Sequence, residues 1–271
     1  MRKMFRTFIA AGALALAAVG PLAGLAAGSA DATSLSDIQK RGKVRIGVLT
    51  GAPPMGMVDE HGKPAGYDVD VANLVGTMFN LPVELVPVTP PARIPALQTG
   101  QVDFLVATLA PTGERAKTVM FTTPYSAFNM VVVSGPGKVY NVVGDLKGKR
   151  IAVNRGSSQE TALRRANVPG LELVVYEDDA TTAQALLSGQ VDGTALPSTV
   201  AAALLKQMPS AGLQVGQPFF RQGNSMATLP GDFELLHYLD TLIYLMKVSG
   251  QLDAIAVKWT GEPFPASLPT F

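Results

Sequence analysis

The sequence predicts an α/β protein of two lobes, each a central, mostly parallel sheet flanked by helices. Three observations predict it. One phrase occurs twice, A-L-Q-T-G-Q-V-D at residues 96–103 and A-L-L-S-G-Q-V-D at 185–192. A second phrase doubles ahead of it in the same order, Arg45-Ile46-Gly47-Val48 and Arg150-Ile151-Ala152-Val153, each shortly after a Gly-Lys pair. Between these phrases, short β-branched runs alternate with helical spacings, the pattern of parallel strands joined by right-handed crossovers. Two like lobes in one chain leave a cleft between them, and such clefts are where small ligands bind.

The elements follow in order. A short helix is expected over residues 34–41 and a strand over 43–49. A hairpin over 55–67 turns at His61-Gly62, and a helix over 68–79 has Asp68 placed as its cap. Residues 83–88 read as a strand. Residues 92–99 read as a helix closed by Gly100, which tolerates the left-handed cap. The unbroken apolar run 102–107 reads as a buried parallel strand. The second half repeats the plan: strand 150–154, helix 158–165, strand 171–176, helix 181–188 closed by Gly189, strand 191–196. Two amphipathic helices, 232–248 and 251–259, end the chain.

Residues 1–30 read as a secretory signal peptide. Arg2, Lys3 and Arg6 precede an apolar run from Phe8 to about Ala27, and small residues place cleavage near 27–32. Gly20-Pro21 and the short run disfavour a membrane anchor. The expected location is therefore periplasmic. The chain has no Cys, so neither a lipidated Cys nor a disulfide is available and packing alone holds the fold. The 22 Lys+Arg and 21 Asp+Glu nearly balance, without a basic run, so a nucleic-acid partner is not expected. His61 and His237 lie far apart, which with no Cys leaves no expected metal site, and no cofactor motif is present. No catalytic set of side chains stands out. Asp59, Glu60, Asp178 and Asp179 fall in turns, where solvation is the default.

In open parallel sheets, ligands sit beyond the C-terminal ends of the strands. Those ends here are residues 49–55, 107–115, 154–158 and 196–198. Arg115 follows a buried strand, and its rigid fork of donors matches a carboxylate, although pairing with a surface acid such as Glu114 is an equal alternative. Ser157 and Glu160 have capping-box spacing behind Gly156, and a helix start of this kind also receives anions.

At these residues the chain resembles the family 3 extracellular solute-binding proteins, the polar amino-acid receptors of ABC importers. The resemblance rests on G-K-P-A-G-Y-D-V-D (62–70), R-I-P-A-L-Q-T-G-Q-V-D (93–103), T-G-E-R-A-K-T-V-M-F-T-T-P-Y (112–125), L-K-G-K-R-I-A-V-N-R-G-S-S (146–158) and D-A-I-A-V-K-W (253–259). It implies a type II periplasmic-binding-protein fold with two hinge crossings near Asn129 and Gln222. Lobe 1 would comprise 31–129 with 223–271, and lobe 2 would comprise 130–222. It further implies that Arg115 clamps a ligand carboxylate, helped by Thr108, Ser157 and Ser158. Ala110, Ala52, Met55 and Pro90 stand at positions where the family usually has a hydroxyl or aromatic walls. Pro197 stands where the family usually has an acid for the ligand ammonium. With that acid missing, a carboxylate lacking an ordinary α-amine is expected to fit better than a standard amino acid, unless an acid from elsewhere, for example Glu160 or Asp179, takes its place. The implied partners are a small carboxylate or amino acid and the membrane permease of an ABC importer, with the receptor itself monomeric. Two other readings share the scaffold: a periplasmic enzyme of the cyclohexadienyl dehydratase kind, and a sensory receptor.

Overall fold

The computed structural model describes residues 35–264, so the expected signal peptide at 1–30 lies outside the described residues. The chain begins with α1 (Leu35–Arg41), β1 (Val44–Leu49), the hairpin β2 (Met57–Val58) and β3 (Pro64–Ala65), and α2 (Tyr67–Phe79). It continues through β4 (Val83–Val88), α3 (Arg93–Gln98), β5 (Phe104–Leu109), β6 (Met120–Phe121) and β7 (Ser126–Ser134). The second run holds β8 (Arg150–Asn154), α4 (Ser158–Ala166), β9 (Glu172–Tyr176), α5 (Asp179–Leu187), β10 (Gly193–Pro197), α6 (Ser198–Gln207) and β11 (Gln214–Val215). It closes with β12 (Phe220–Thr228), α7 (Phe233–Val248) and α8 (Gln251–Thr260).

The strand order β4-β1-β5-β12-β7-β10-β8-β9 contains two parallel groups. β1 runs parallel to β4 and β5, and β8 runs parallel to β9 and β10. Between them lie two nine-residue strands, β7 and β12, paired antiparallel with Asn129 opposite Arg221 and Phe128 opposite Gln222. One end of β12 pairs with β7, and its other end pairs with β5. These two strands carry the chain between the lobes. Local alternation predicts the parallel groups but not this bridge, whose register depends on residues about 100 positions apart.

Each lobe buries apolar side chains on both faces of its strands. In the first, Val71 and Val75 of α2 and Leu239, Leu242 and Ile243 of α7 pack with Ile46, Val48 and Phe104. Leu97 of α3 packs with Leu105 and Leu109 on the other face. In the second, Ala183 and Leu186 of α5 and Val200 and Leu204 of α6 pack with Val131 and Val133. Leu163 of α4 packs with Ile151 and Val153 opposite.

The doubled phrases meet in space in both lobes. The Asp103 N–H donates to the Arg45 carbonyl at 2.8 Å, and its carboxylate accepts the Arg45 N–H at 2.8 Å. Asp192 repeats both bonds with Arg150, at 2.8 and 3.0 Å. Both helices before these Asp residues end alike. Gly100 and Gly189 take φ of 69° and 72°. Gln101 donates to Ala96 and Gln190 to Ala185, the six-to-one bond of a glycine-terminated helix. The strands consequently begin at Phe104 and Gly193, two residues later than the apolar runs indicate, because each Asp first closes its turn onto the neighbouring strand.

Two caps differ from expectation. α2 starts at Tyr67 behind Gly66, so Asp68 lies inside the helix and is fully buried rather than capping it. α5 starts at Asp179, because Asp178 is the capping residue and accepts the Thr181 N–H at 2.8 Å. Among the described residues, no helix is long and apolar enough to cross a membrane.

Candidate functional site

The C-terminal ends of β1, β5, β8 and β10 converge on one crevice between the lobes. Leu49, Thr108, Asn154 and Pro197, the strand-end residues, all line it. Its enclosed volume is about 20 Å³, room for about one water, so the crevice stands nearly shut. Pro90, Arg93 and Arg115 enter from the first lobe, Ser157, Ser158, Gln159 and Asp179 from the second. Phe128, Met130 and Gln222 come from the bridging strands.

Arg115 opens a 3-10 turn, Arg115–Lys117, held by the Thr112 hydroxyl. Its guanidinium donates to the Ala110 carbonyl at 2.7 Å and, across the crevice, to the Gly156 carbonyl at 2.8 Å. Its partner is therefore not Glu114, which pairs with Lys117 instead. Gly156 leads into α4, whose first turn is capped by the Ser157 hydroxyl accepting the Glu160 N–H at 3.1 Å. The return bond of the expected box goes one residue further back, from the Gly156 N–H to the Glu160 carboxylate at 2.8 Å. Ser158 donates to Gln222, which in turn donates to the Thr108 carbonyl at 3.3 Å and to Asn224 at 2.6 Å. The start of α4 is thus tied to a bridging strand and to the end of β5.

Thr108 has a left-handed backbone, φ 43°, rare for a β-branched residue and held only by surrounding bonds. Its N–H donates to the Tyr125 hydroxyl at 3.2 Å, and that hydroxyl donates to Asp68 at 2.8 Å. Burial raises the Asp68 carboxyl to about 8, opposed by the Tyr125 hydrogen bond. The Thr108 N–H is therefore engaged, and Thr108 lines the crevice.

Arg93 sits beneath Arg115. Its guanidinium donates to the carbonyls of Pro90 at 2.9 Å, Ala107 at 3.0 Å and Thr108 at 3.3 Å, and reaches Gly156 across the crevice at 3.4 Å. Burial, then the neighbouring Arg115, pulls it down to about 9. Opposite lies Asp179, which is 4% exposed, its carboxyl raised to about 7 by burial and held down in part by Arg93. Gln159 donates to Asn154 at 2.8 Å and to Asp179 at 3.5 Å.

Several expectations change. Asp179 is not a solvated turn residue: the first turn of α5 points it into the crevice, so an acid is present although Pro197 replaces the expected one. Asp179 thus stands where an acid supplied from elsewhere is needed, the alternative to a ligand without an α-amine. Met55 is fully buried in the core with Tyr67, and Ala52 is buried beside Leu49, so neither lines the crevice and Leu49 forms that wall. Ala110 contributes its carbonyl to Arg115 rather than a wall. Arg93, Asn154, Gln159 and Gln222 are not assigned to the site by the sequence, whereas Asp179 is one of its two candidates for an acid supplied from elsewhere; the other, Glu160, accepts the Gly156 N–H instead. Asn154 stands at a strand end and Gln222 at an expected crossing, which are the signals that mark them. Arg93 carries no such local sign.

The fold and this strand-end crevice define a two-lobed binding protein. Residues 44–262 match the family model described as bacterial extracellular solute-binding proteins, family 3, and the chain belongs to that family. Among its relatives, the L-cystine-binding protein TcyJ of Escherichia coli (strain K12) is 29% identical over 247 residues, covering 90% of this chain and 92% of that one. An ancestral arginine-binding protein bound to arginine superposes with a TM-score of 0.77 at 33% identity, over 81% of this chain and 98% of that one. The ancestral amino acid-binding protein AncCDT-1, described as a precursor of cyclohexadienyl dehydratase, gives 0.76 at 29% identity, over 85% and 100%.

Proposed function

We propose that this protein is the periplasmic receptor of an ABC importer and that its crevice closes on an α-amino acid, which it delivers to the membrane permease. Arg115 takes the carboxylate, with the Thr108 hydroxyl and the Ser157–Ser158 helix start completing that end. Asp179 takes the ammonium. Lobe 1, residues 31–129 with 223–271, swings on lobe 2, residues 130–222, about the bridging strands. Closure needs only tighter binding to the shut state.

The observation that carries this reading is the meeting of Arg115 and Gly156 across the crevice at 2.8 Å, a guanidinium of one lobe against the helix start of the other. Relatives named for binding cystine and arginine support the ligand class. A thermal-shift screen of the twenty amino acids and common organic acids tests it: a true ligand raises the melting temperature by mass action, further as its concentration rises above Kd. A screen in which no amino acid shifts the melt overturns the proposal.

A buried acid beside two guanidiniums also suits an enzyme that protonates a leaving group, as the AncCDT-1 likeness invites. Turnover of prephenate or arogenate by the purified protein would establish that alternative.

A further inference from the structure

The described lining of the crevice carries three charged side chains, Arg93, Arg115 and Asp179. With an α-amino acid in the proposed orientation, Arg115 meets the carboxylate and Asp179 meets the ammonium. Arg93 then shares the field of Asp179 with the ligand ammonium and, among the described residues, has no ion pair of its own. Its guanidinium is satisfied by the carbonyls of Pro90, Ala107 and Thr108, which hold it in place but carry no net charge. Asp68 lies behind Thr108 with its carboxyl pushed up to about 8, so at neutral pH it is mostly protonated and does not neutralise Arg93. The remaining lining is neutral: the amides of Asn154, Gln159 and Gln222, and the apolar walls Leu49, Phe128 and Met130.

Resting on the function proposed above, we propose that Arg93 is a selectivity residue whose buried positive charge excludes amino acids with cationic side chains, so that the receptor takes those with uncharged or acidic ones. A side chain that enters this crevice has the buried guanidinium of Arg93 in its wall. Two like charges several ångströms apart in such surroundings repel strongly enough to cost on the order of tenfold to a hundredfold in affinity. Arg93 acts through its field rather than as a clamp, because its donors are already engaged.

Calorimetry with pairs matched in shape separates charge from size. L-citrulline has the outline of L-arginine without its charge, and L-asparagine is the nearer neutral match for the cationic L-2,4-diaminobutyrate. In each pair the neutral member should bind at least about tenfold more tightly. Arg93→Gln should shrink that ratio to within about threefold, while Arg93→Lys keeps it. Should Arg93→Gln fail to fold, the wild-type ratios alone decide. Arginine or diaminobutyrate binding as tightly as its neutral partner would overturn the inference and leave the receptor reading intact. Binding of no amino acid at all would overturn both.

Discussion

Replacing Asp179 by Asn probes the crevice where its two lobes differ most in charge. Burial raises the Asp179 carboxyl from 3.8 to about 7, against the pull of Arg93. A gap of roughly 3 units corresponds to about 4 kcal/mol of unfavourable charging, an upper bound. A ligand ammonium supplies the missing counter-charge, so Asp179 must be ionised to receive it. Below a pH of about 7 the ligand has to displace a proton. Affinity should therefore fall by up to about tenfold per unit of pH below that point and level off above it. The Asp179→Asn protein should bind at least about 30-fold more weakly at pH 8, and its affinity should be flat from about pH 5 to 8. Calorimetry in two buffers of different ionisation enthalpy reads both effects, since wild-type binding near pH 6 should release close to one proton per ligand.

Stability without ligand moves the opposite way. A raised carboxyl contributes stability that is complete below about pH 3.8 and is lost as the pH rises through about 7. Asp68, raised to about 8 by burial, adds the same sign over a slightly wider window. The ligand-free Asp179→Asn protein should thus melt above wild type at pH 8 and lose less stability between pH 4 and 8. Wild-type affinity that stays flat from pH 5 to 8, or an Asn variant that keeps the wild-type Kd at pH 8, would refute the reasoning.

Arg115→Ala removes the charged donors that face the opposite helix start, and should weaken ligand binding by about 100-fold while far-UV circular dichroism stays unchanged. Gly51→Ala tests closure: a Cβ there would lie 2.5 Å from the Asp178 carboxylate of the other lobe, where the Gly51 carbonyl also accepts the Ala180 N–H. It should hold the crevice ajar, lowering affinity at least about tenfold with little change in ligand-free melting. Asp103→Ala and Asp192→Ala compare the doubled phrases. The Asp103 carboxylate is fully buried and bonded to Arg41, Arg45 and a backbone N–H, so its loss should cost about 3 kcal/mol in urea unfolding. Asp192 is 34% exposed and 3.8 Å from Lys138, and its loss should cost about 1 kcal/mol.

Much of this molecule is legible along the chain. The order of strands and helices follows from apolar period and from glycine punctuation, signals that act within about ten residues. The doubled G-Q-V-D phrase marks one device used twice, a glycine-ended helix whose following Asp is pinned to the first strand of its own parallel group. Arg115, Ser157, Ser158 and Thr108 were legible because each follows a strand end or opens a helix. Asp178 and Asp179 were not separable in this way. They are adjacent acids of equal propensity, yet one caps α5 and the other turns into the crevice, because the helix packs against β8 and faces the first lobe.

The elements, their order and the parallel grouping of the strands follow from the chain alone, since they arise from neighbours in the chain and from apolar runs that must be buried. The tertiary structure alone decided which charges share the crevice. Arg93 and Asp179 stand 86 positions apart and come within each other's field only when two bridging strands set the lobes face to face. Coulombic energy depends on distance through space and on exclusion of water, and neither quantity is written in local spacing.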